Sequence, residues 1–134
     1  MNYLLDTNVC IYLIKRHPAG VLRRMTELTV GDVGLSSVTV AELQYGVAKS
    51  SQVERNGLAL EQFLAPLAVV DFDASAAVTY GAIHALLERR GTPIGSMDTL
   101  IAAHALSLNV TLVTNNEREF IRVPGLKLAN WTND

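Results

Sequence analysis

Four acidic residues, far apart in the sequence, are the side chains best suited to chemistry: Asp6, Glu42, Asp98 and Glu119. Asp6 directly follows a short apolar run, and Glu119 comes soon after another. Glu42 and Asp98 lie in the first turns of predicted helices. Carboxylates gathered in one cleft repel one another unless a cation compensates their charge, and an all-oxygen donor set suits Mg²⁺ or Mn²⁺. The four acids therefore predict a site for one of these ions.

Each acid also has a purely structural interpretation. Asp6 is a favoured N-cap for the helix that follows it. The spacing Thr39-x-x-Glu42 fits a capping box, in which Glu42 bonds back to the backbone of Thr39. Asp98 near a helix start interacts favourably with the helix dipole, and Glu119 fits an ordinary solvated loop. Only their joint placement favours a functional site.

Other catalytic chemistries find little support in the sequence. It contains neither a GxGxxG fingerprint nor a Walker A loop, which disfavours nucleotide cofactors. Ser36, Ser37 and Ser96 lack the setting of a nucleophile elbow. The histidines lack the spacing of a zinc motif or of a two-histidine ribonuclease: His17, His84 and His104. The acids remain the best candidates.

The elements that must position these acids alternate along the chain. Short apolar runs predict strands at residues 2–5, 33–36, 67–70 and 110–113, with a possible fifth at 126–128. Helical spacing predicts helices at residues 9–16, 19–28, 39–49, 51–64, 73–90 and 97–108. This alternation predicts one α/β domain over residues 1–134, a small parallel sheet with helices on both faces. In such sheets ligands bind at the carboxyl ends of the strands, where Asp6 falls.

Composition indicates a globular protein without membrane spans. Hydrophobic residues make up 49% of the 134 residues and charged residues 18%. The formal net charge is −2, and it becomes +2 when the four acids are set aside, so an anionic substrate is allowed. Cys10 is the only cysteine, which excludes an internal disulfide and predicts a small buried residue. No apolar run reaches the ~18–20 residues of a membrane span, and no signal peptide is evident. We expect a soluble, cytoplasmic protein.

Four motifs in this order resemble those of the PIN-domain nucleases, and more narrowly of the VapC toxins of type II toxin–antitoxin systems. The resemblance covers residues 2–131. The motifs are Leu5-Asp6-Thr7-Asn8, Ser36-Ser37-x-Thr39-x-x-Glu42-Leu43, Gly95-x-x-Asp98-x-x-Ile101-Ala102-Ala103-His104-Ala105 and Leu112-Val113-Thr114-x-Asn116-x-x-Glu119-Phe120.

The resemblance implies a PIN-like three-layer sandwich with an acidic cluster that holds Mg²⁺ or Mn²⁺. Asp6 and Asp98 match the family's principal metal ligands, and Glu42 and Glu119 match the other acids. Four further positions match polar residues that line the same pocket: Thr7, Asn8, Thr114 and Asn116. The chain departs from the family where the last acid is usually Asp and where some relatives carry an acid in place of Asn116. Both departures bear on whether the chain has a second metal site more than on whether it has the first.

The resemblance also implies a function and partners. These are metal-dependent endoribonuclease activity that inhibits translation, with transfer RNA as the leading substrate, a homodimer, and neutralisation by a VapB-type antitoxin. The C-terminal segment of that antitoxin would wrap around the toxin and approach the metal pocket. Basic residues form a pool of phosphate contacts: Lys15, Arg16, Arg23, Arg24, Lys49, Arg118 and Arg122.

Two other classes of protein remain open at this stage. One is a phosphohydrolase in which Asp6 forms a covalent intermediate, but that class requires a second Asp two residues on, where this chain has Asn8. The other is a PIN-like module that binds protein or RNA without cutting it.

Overall fold

The computed structural model describes residues 1–133, apart from the side chains of Val30 and Asn133; Asp134, the last residue of the predicted domain, lies outside the described residues. Its centre is a five-stranded parallel sheet in the order β3-β2-β1-β4-β5. The strands are β1 (Tyr3–Leu5), β2 (Val33–Ser36), β3 (Ala68–Val70), β4 (Thr111–Val113) and β5 (Lys127–Ala129).

The first strand occupies the middle of the sheet and sets the position of Asp6. Leu5 is in register with Leu35 of β2 and with Val113 of β4. Because all the strands run parallel, their carboxyl ends share one edge. Asp6 follows Leu5 directly and so lies at the centre of that edge.

Helices cover both faces, which confirms the predicted α/β sandwich. They are α1 (Thr7–Lys15), α2 (Ala19–Thr26), α3 (Ser37–Ala48), α4 (Val53–Leu64), α5 (Ala74–Arg89), α6 (Ser96–Leu108) and the short α7 (Glu117–Phe120), with 3₁₀ turns at Val30–Asp32 and Trp131–Asn133. Successive strand residues face opposite sides of a sheet. Leu5 accordingly packs in a core with α1–α4, and Leu4 packs in a second core with α5 and α6. Within residues 1–133, no helix combines the length and apolar character needed to cross a bilayer.

The predicted element bounds agree with the structure to within two residues, and capping side chains explain two of the differences. Helix α1 begins earlier than predicted because Asp6 caps it. Helix α3 also begins earlier, since Ser36 Oγ accepts the Val38 N–H at 3.0 Å. Thr39 is then fully buried inside the helix and is no N-cap, so the capping-box interpretation of Thr39 and Glu42 is wrong. Helix α7 and both 3₁₀ turns were not predicted.

Candidate active site

Asp6 both caps a helix and belongs to the acidic cluster. Its Oδ1 accepts the Val9 N–H at 2.9 Å, which satisfies one of the free donors at the start of α1. Its side chain is 4% exposed, and this burial raises the pKa of the Asp6 carboxyl. Hydrogen bonds from Thr114 and Val9 lower the pKa, and the negative charge of Glu42 raises it further. The N-cap interpretation of Asp6 is therefore correct, and the same carboxylate lies close enough to Glu42 for their charges to interact.

Glu42 is held by a residue from another helix. The Thr7 hydroxyl donates to Glu42 Oε1 at 2.6 Å, which links the first turn of α1 to α3. Thr7 Oγ1 also lies 3.5 Å from the Thr39 hydroxyl oxygen. A short bond from a hydroxyl to a carboxylate restricts the rotamer of the acid. Thr7 thus contacts one of the four predicted acids, and this hydrogen bond orients the Glu42 carboxylate.

Asp98 and Glu119 share a hydrogen bond within the site. The half-buried Asp98 lies in the first turn of α6 and is hydrogen-bonded to Glu119. Burial, this hydrogen bond and the charge of Glu119 raise the pKa of Asp98 to about 7, and repulsion from Asp6 and Glu42 adds to the effect. The four predicted acids therefore act on one another at the carboxyl edge of the sheet.

Two polar residues after β4 connect Glu119 to Asp6. Asn116 Nδ2 donates to Glu119 Oε2 at 3.0 Å. The Asn116 N–H donates to Thr114 Oγ1 at 2.9 Å, and the fully buried Thr114 side chain hydrogen-bonds Asp6. Glu119 belongs to α7 and is half-buried, so its interpretation as a solvated loop acid is wrong.

Asn8 is the one predicted pocket residue that the structure does not join to the others. Its side chain is exposed in the first turn of α1, and no hydrogen bond recorded among the described residues involves it. Its predicted role in the pocket stays a prediction.

Sequence reasoning missed two long-range hydrogen bonds near the site. His104 Nδ1 lies 2.8 Å from Ser36 Oγ, and both side chains are buried. Asn115 Nδ2 donates to the Tyr12 hydroxyl at 2.6 Å, joining the loop after β4 to α1. The partners lie 68 and 103 residues apart, and no local pattern pairs residues at such separations.

The donor set fits a hard divalent cation. All four side chains offer oxygen, and the raised pKa of Asp98 shows negative charge in need of compensation. Among the described residues, no three acidic, histidine or cysteine side chains converge tightly enough to enclose an ion as they stand. Carboxylates that repel one another stay apart, and Thr7 draws Glu42 to one side. The residues fit the ion by the chemistry of their oxygen donors.

Comparisons with known proteins agree with this fold and site. The PIN-domain family model matches residues 3–126. The chain is 46% identical to Ribonuclease VapC2 of Rickettsia felis over 132 residues, which covers 98% of both chains. It is also 46% identical to the tRNA(fMet)-specific endonuclease VapC of Shigella flexneri, over 98% of this chain and 99% of that protein.

Solved structures give the same result. The chain superposes on a crystal structure of VapBC2 from Rickettsia felis bound to a promoter DNA fragment with a TM-score of 0.90 and 44% identity, covering 98% of this chain and 99% of that one. For DNA-bound VapBC from Salmonella typhimurium the TM-score is 0.92 at 44% identity, with 98% of each chain covered.

A parallel sheet with an acidic cluster at its carboxyl edge, matched to that family model over most of its length, defines a PIN-domain nuclease. PIN-domain ribonucleases generally depend on a divalent metal ion. The chain belongs to the VapC ribonucleases of the PIN-domain family.

Proposed function

We propose that the protein is the toxin of a toxin–antitoxin pair and hydrolyses RNA phosphodiester bonds with Mg²⁺ or Mn²⁺ held by Asp6, Glu42, Asp98 and Glu119. The observation that supports this most strongly is the gathering of the four acids, where burial of Asp98, its hydrogen bond to Glu119 and the charges of the other acids raise the pKa of Asp98 to about 7. A module that only binds protein or RNA gains nothing from such a cluster. We further propose that residues 1–134 act as one domain in the cytoplasm.

The residues of the site divide into ligands and residues that orient them. Asp6 and Asp98 are the principal ligands in this proposal, with Glu42 and Glu119 beside them. A bound divalent ion supplies Lewis acidity at the scissile phosphate and makes water more acidic. Glu42 or Glu119 receives the proton of the attacking water. Thr7 keeps the Glu42 carboxylate in one rotamer.

Water, and not the ribose 2′-hydroxyl, is the nucleophile in this proposal. The titratable groups that act on Asp98 are all carboxylates, and none of them is a histidine that could activate the 2′-hydroxyl. Hydrolysis by water leaves 5′-phosphate and 3′-hydroxyl ends. A cyclic phosphate product would contradict the mechanism.

The proposed substrate is initiator transfer RNA. The relatives from Shigella flexneri and Salmonella typhimurium are both named as tRNA(fMet)-specific endonucleases, and they are 46% and 44% identical to this chain. Cleavage of initiator transfer RNA would stop translation.

The deciding experiment is cleavage of purified initiator and elongator methionine transfer RNAs with Mg²⁺, with Mn²⁺ and with chelator. Asp98→Asn protein, purified identically, controls for contaminating ribonuclease. We expect cleavage that requires the metal, is absent in the variant and favours the initiator. If neither ion supports cleavage of either RNA, a binding module without catalysis becomes the better interpretation.

An apolar cleft beside the acids is the proposed antitoxin site. It lies between α1, α3 and α4, has a volume of about 300 Å³, and includes Glu42 in its lining. Its apolar lining comes from Ile11, Ile14, Leu43, Val47, Ala59 and Leu60. An antitoxin segment seated here would reach the acidic cluster, since Glu42 belongs to both.

Gly46 offers a way to test this cleft, because it lines the cleft and a β-carbon added there meets no atom within 4 Å. Gly46→Phe would occupy the cleft. We expect it to weaken binding of a VapB antitoxin from the Salmonella complex, measured by calorimetry, while Gly31→Phe in the exposed turn before β2, where an added β-carbon also meets no atom within 4 Å, leaves binding unchanged. Equal affinities of the two variants would exclude the cleft.

We also propose that α5 forms the homodimer contact. Val78 is 75% exposed there, and small exposed residues surround it: Ala74, Ala77, Gly81 and Ala82. Such a surface allows two helices to approach closely. Val78→Glu should yield monomers in sedimentation experiments, while Leu58→Glu on α4 should not.

A further inference from the structure

Tyr45 is a large aromatic residue that the proposed site does not explain. Its side chain is 66% exposed on α3, although a tyrosine gains stability by burying its ring. Lys49 Nζ lies 4.9 Å from the centre of the ring, in cation–π contact. The pair thus combines an open aromatic surface with a positive charge.

Helix geometry places Tyr45 and Lys49 on the same side of α3 as Glu42, one acid of the cluster. Tyr45 and Lys49 follow Glu42 by three and seven residues, and residues at these spacings share one side of a helix. Because side chains at such spacings are neighbours, the Tyr45 ring stands one helical turn from an acid of the site. A molecule bound at the acids can extend along α3 onto the ring.

Single-stranded RNA has the chemistry that this surface recognises. Proteins bind unpaired nucleic acid by stacking bases on exposed aromatic rings while cations contact the backbone. Lys49 covers part of the ring, and the exposed remainder is available to a base. Lys49 also supplies the positive charge that a nearby phosphate requires.

We propose that Tyr45 and Lys49 form a nucleotide-binding subsite next to the cleavage site, in which an unpaired base stacks on Tyr45 and a phosphate contacts Lys49. The inference rests on the proposed ribonuclease function and deepens it. A paired base has both faces covered by its neighbours in the duplex, so this subsite selects single-stranded segments and loops over helices. Stacking tolerates any base, and the subsite therefore selects RNA shape more than sequence.

The test measures binding separately from cleavage. Each variant is made in an Asp98→Asn background, and its affinity is measured for a short single-stranded RNA that carries the fluorescent base 2-aminopurine. Stacking on an aromatic ring quenches this fluorophore. We expect Tyr45→Ala to weaken binding about 10-fold and to remove the quenching, in line with the usual effect of losing one stacked base. Tyr45→Phe should retain both, and Leu58→Ala, another exposed apolar residue, serves as the matched control.

Lys49→Gln provides the second arm, because it removes the charge and keeps the length of the side chain. It should weaken binding and reduce the dependence of affinity on salt concentration, with quenching by Tyr45 retained. Wild-type protein in the same buffer, assayed for cleavage of initiator transfer RNA, reports on the proposed function separately.

Three results would overturn the inference. Tyr45→Ala that binds RNA as tightly as its parent would exclude stacking. Tyr45→Ala that binds RNA normally but dissociates the dimer or loses antitoxin affinity would assign Tyr45 to a protein interface. Cleavage by wild-type protein together with unchanged quenching in Tyr45→Ala would reject the subsite and keep the ribonuclease.

Discussion

His104 Nδ1 on α6 lies 2.8 Å from Ser36 Oγ at the end of β2. Ser36 also caps α3 through the Val38 N–H, so the pair connects the helix that carries Asp98 to the start of the helix that carries Glu42. Burial lowers the pKa of His104, which keeps the ring neutral at pH 7. The Ser36 hydroxyl can then donate to Nδ1 when the ring proton is on Nε2.

Replacing His104 should affect catalysis as well as stability. His104→Ala removes a buried ring and leaves the Ser36 hydroxyl without this partner, so we expect a loss of roughly 2–4 kcal/mol in the free energy of unfolding. The cleavage rate of the folded protein should also fall, with little change in KM. The reason is that the hydrogen bond connecting α6 to the start of α3 is lost, so the positions of Asp98 and Glu42 relative to each other are no longer fixed. Chemical denaturation and single-turnover cleavage measure the two effects.

His104→Asn is the matched control, because its amide lies near the position of Nδ1. It should recover much of the cleavage rate while stability stays below that of the wild type. If both variants lose stability but cleave at the wild-type rate, His104 acts only as a core residue.

Asp98→Asn should stabilise the protein in the presence of chelator while it abolishes cleavage. The folded pKa of Asp98 is about 7, against a reference value of 3.8. Between these two pKa values Asp98 is protonated in the folded state and ionised in the unfolded state. The stability that this proton contributes to the folded state is therefore complete below about pH 4, declines as the pH rises, and is lost above pH 7. The amide does not titrate and avoids this loss.

Thermal melts in chelator from pH 4 to 8 test this expectation. The gap between Asp98→Asn and wild type should widen up to about pH 7 and then level off, and His104, present in both proteins, cancels from the difference. Mg²⁺ or Mn²⁺ should raise the melting temperature of the wild type by mass action and leave the variant nearly unchanged. Parallel pH profiles of the two proteins would contradict the coupling of Asp98 to its acidic neighbours.

Thr7→Val should weaken metal binding, although Thr7 is not proposed as a ligand. The substitution keeps the shape of the side chain and removes the 2.6 Å hydrogen bond to Glu42. Partners that orient metal ligands typically contribute about 10–100-fold in affinity or activity. Calorimetric titration with Mn²⁺ measures the effect. Thr79→Val, whose hydroxyl bonds within α5, should bind Mn²⁺ as the wild type does.

Glu119→Gln and Glu117→Gln form a matched pair two residues apart on α7. Glu119 is hydrogen-bonded to Asp98 and Asn116, whereas the exposed Glu117 accepts a bond from Asn130. We expect the Glu119 variant to lose at least about 100-fold in cleavage rate, as for other groups that transfer protons or hold metals, and the Glu117 variant to retain its rate. Similar losses of cleavage rate in both variants would contradict the assignment of Glu119 to the functional acidic cluster.

The order of the elements could be predicted from the sequence because it is a local property. The apolar run before Asp6 and the one before Thr114 indicate buried strands, and a parallel sheet places their ends at one edge. The resemblance to PIN domains then selected the acids that the structure brings together. Neither argument required a contact between distant residues.

What the sequence could not predict depends on tertiary contacts. Ser36 and Thr39 are both favoured N-caps, and the choice between them follows from the burial of Thr39 in the fold. Helix α7 is too short for a periodic pattern, and the fully buried Phe120 holds it in place. The hydrogen bond between His104 and Ser36 joins residues 68 positions apart, so no local sequence pattern predicts it.

The central position of β1 has a consequence for synthesis on the ribosome. This strand emerges first, yet one of its two neighbours in the sheet, β4, begins at residue 111. Asp6 is therefore synthesised well before Asp98 and Glu119, which lie in the last third of the sequence. A nascent or prematurely terminated chain that ends before residue 98 lacks half of the acidic cluster. All four acids are therefore present together only after residue 119 has been synthesised.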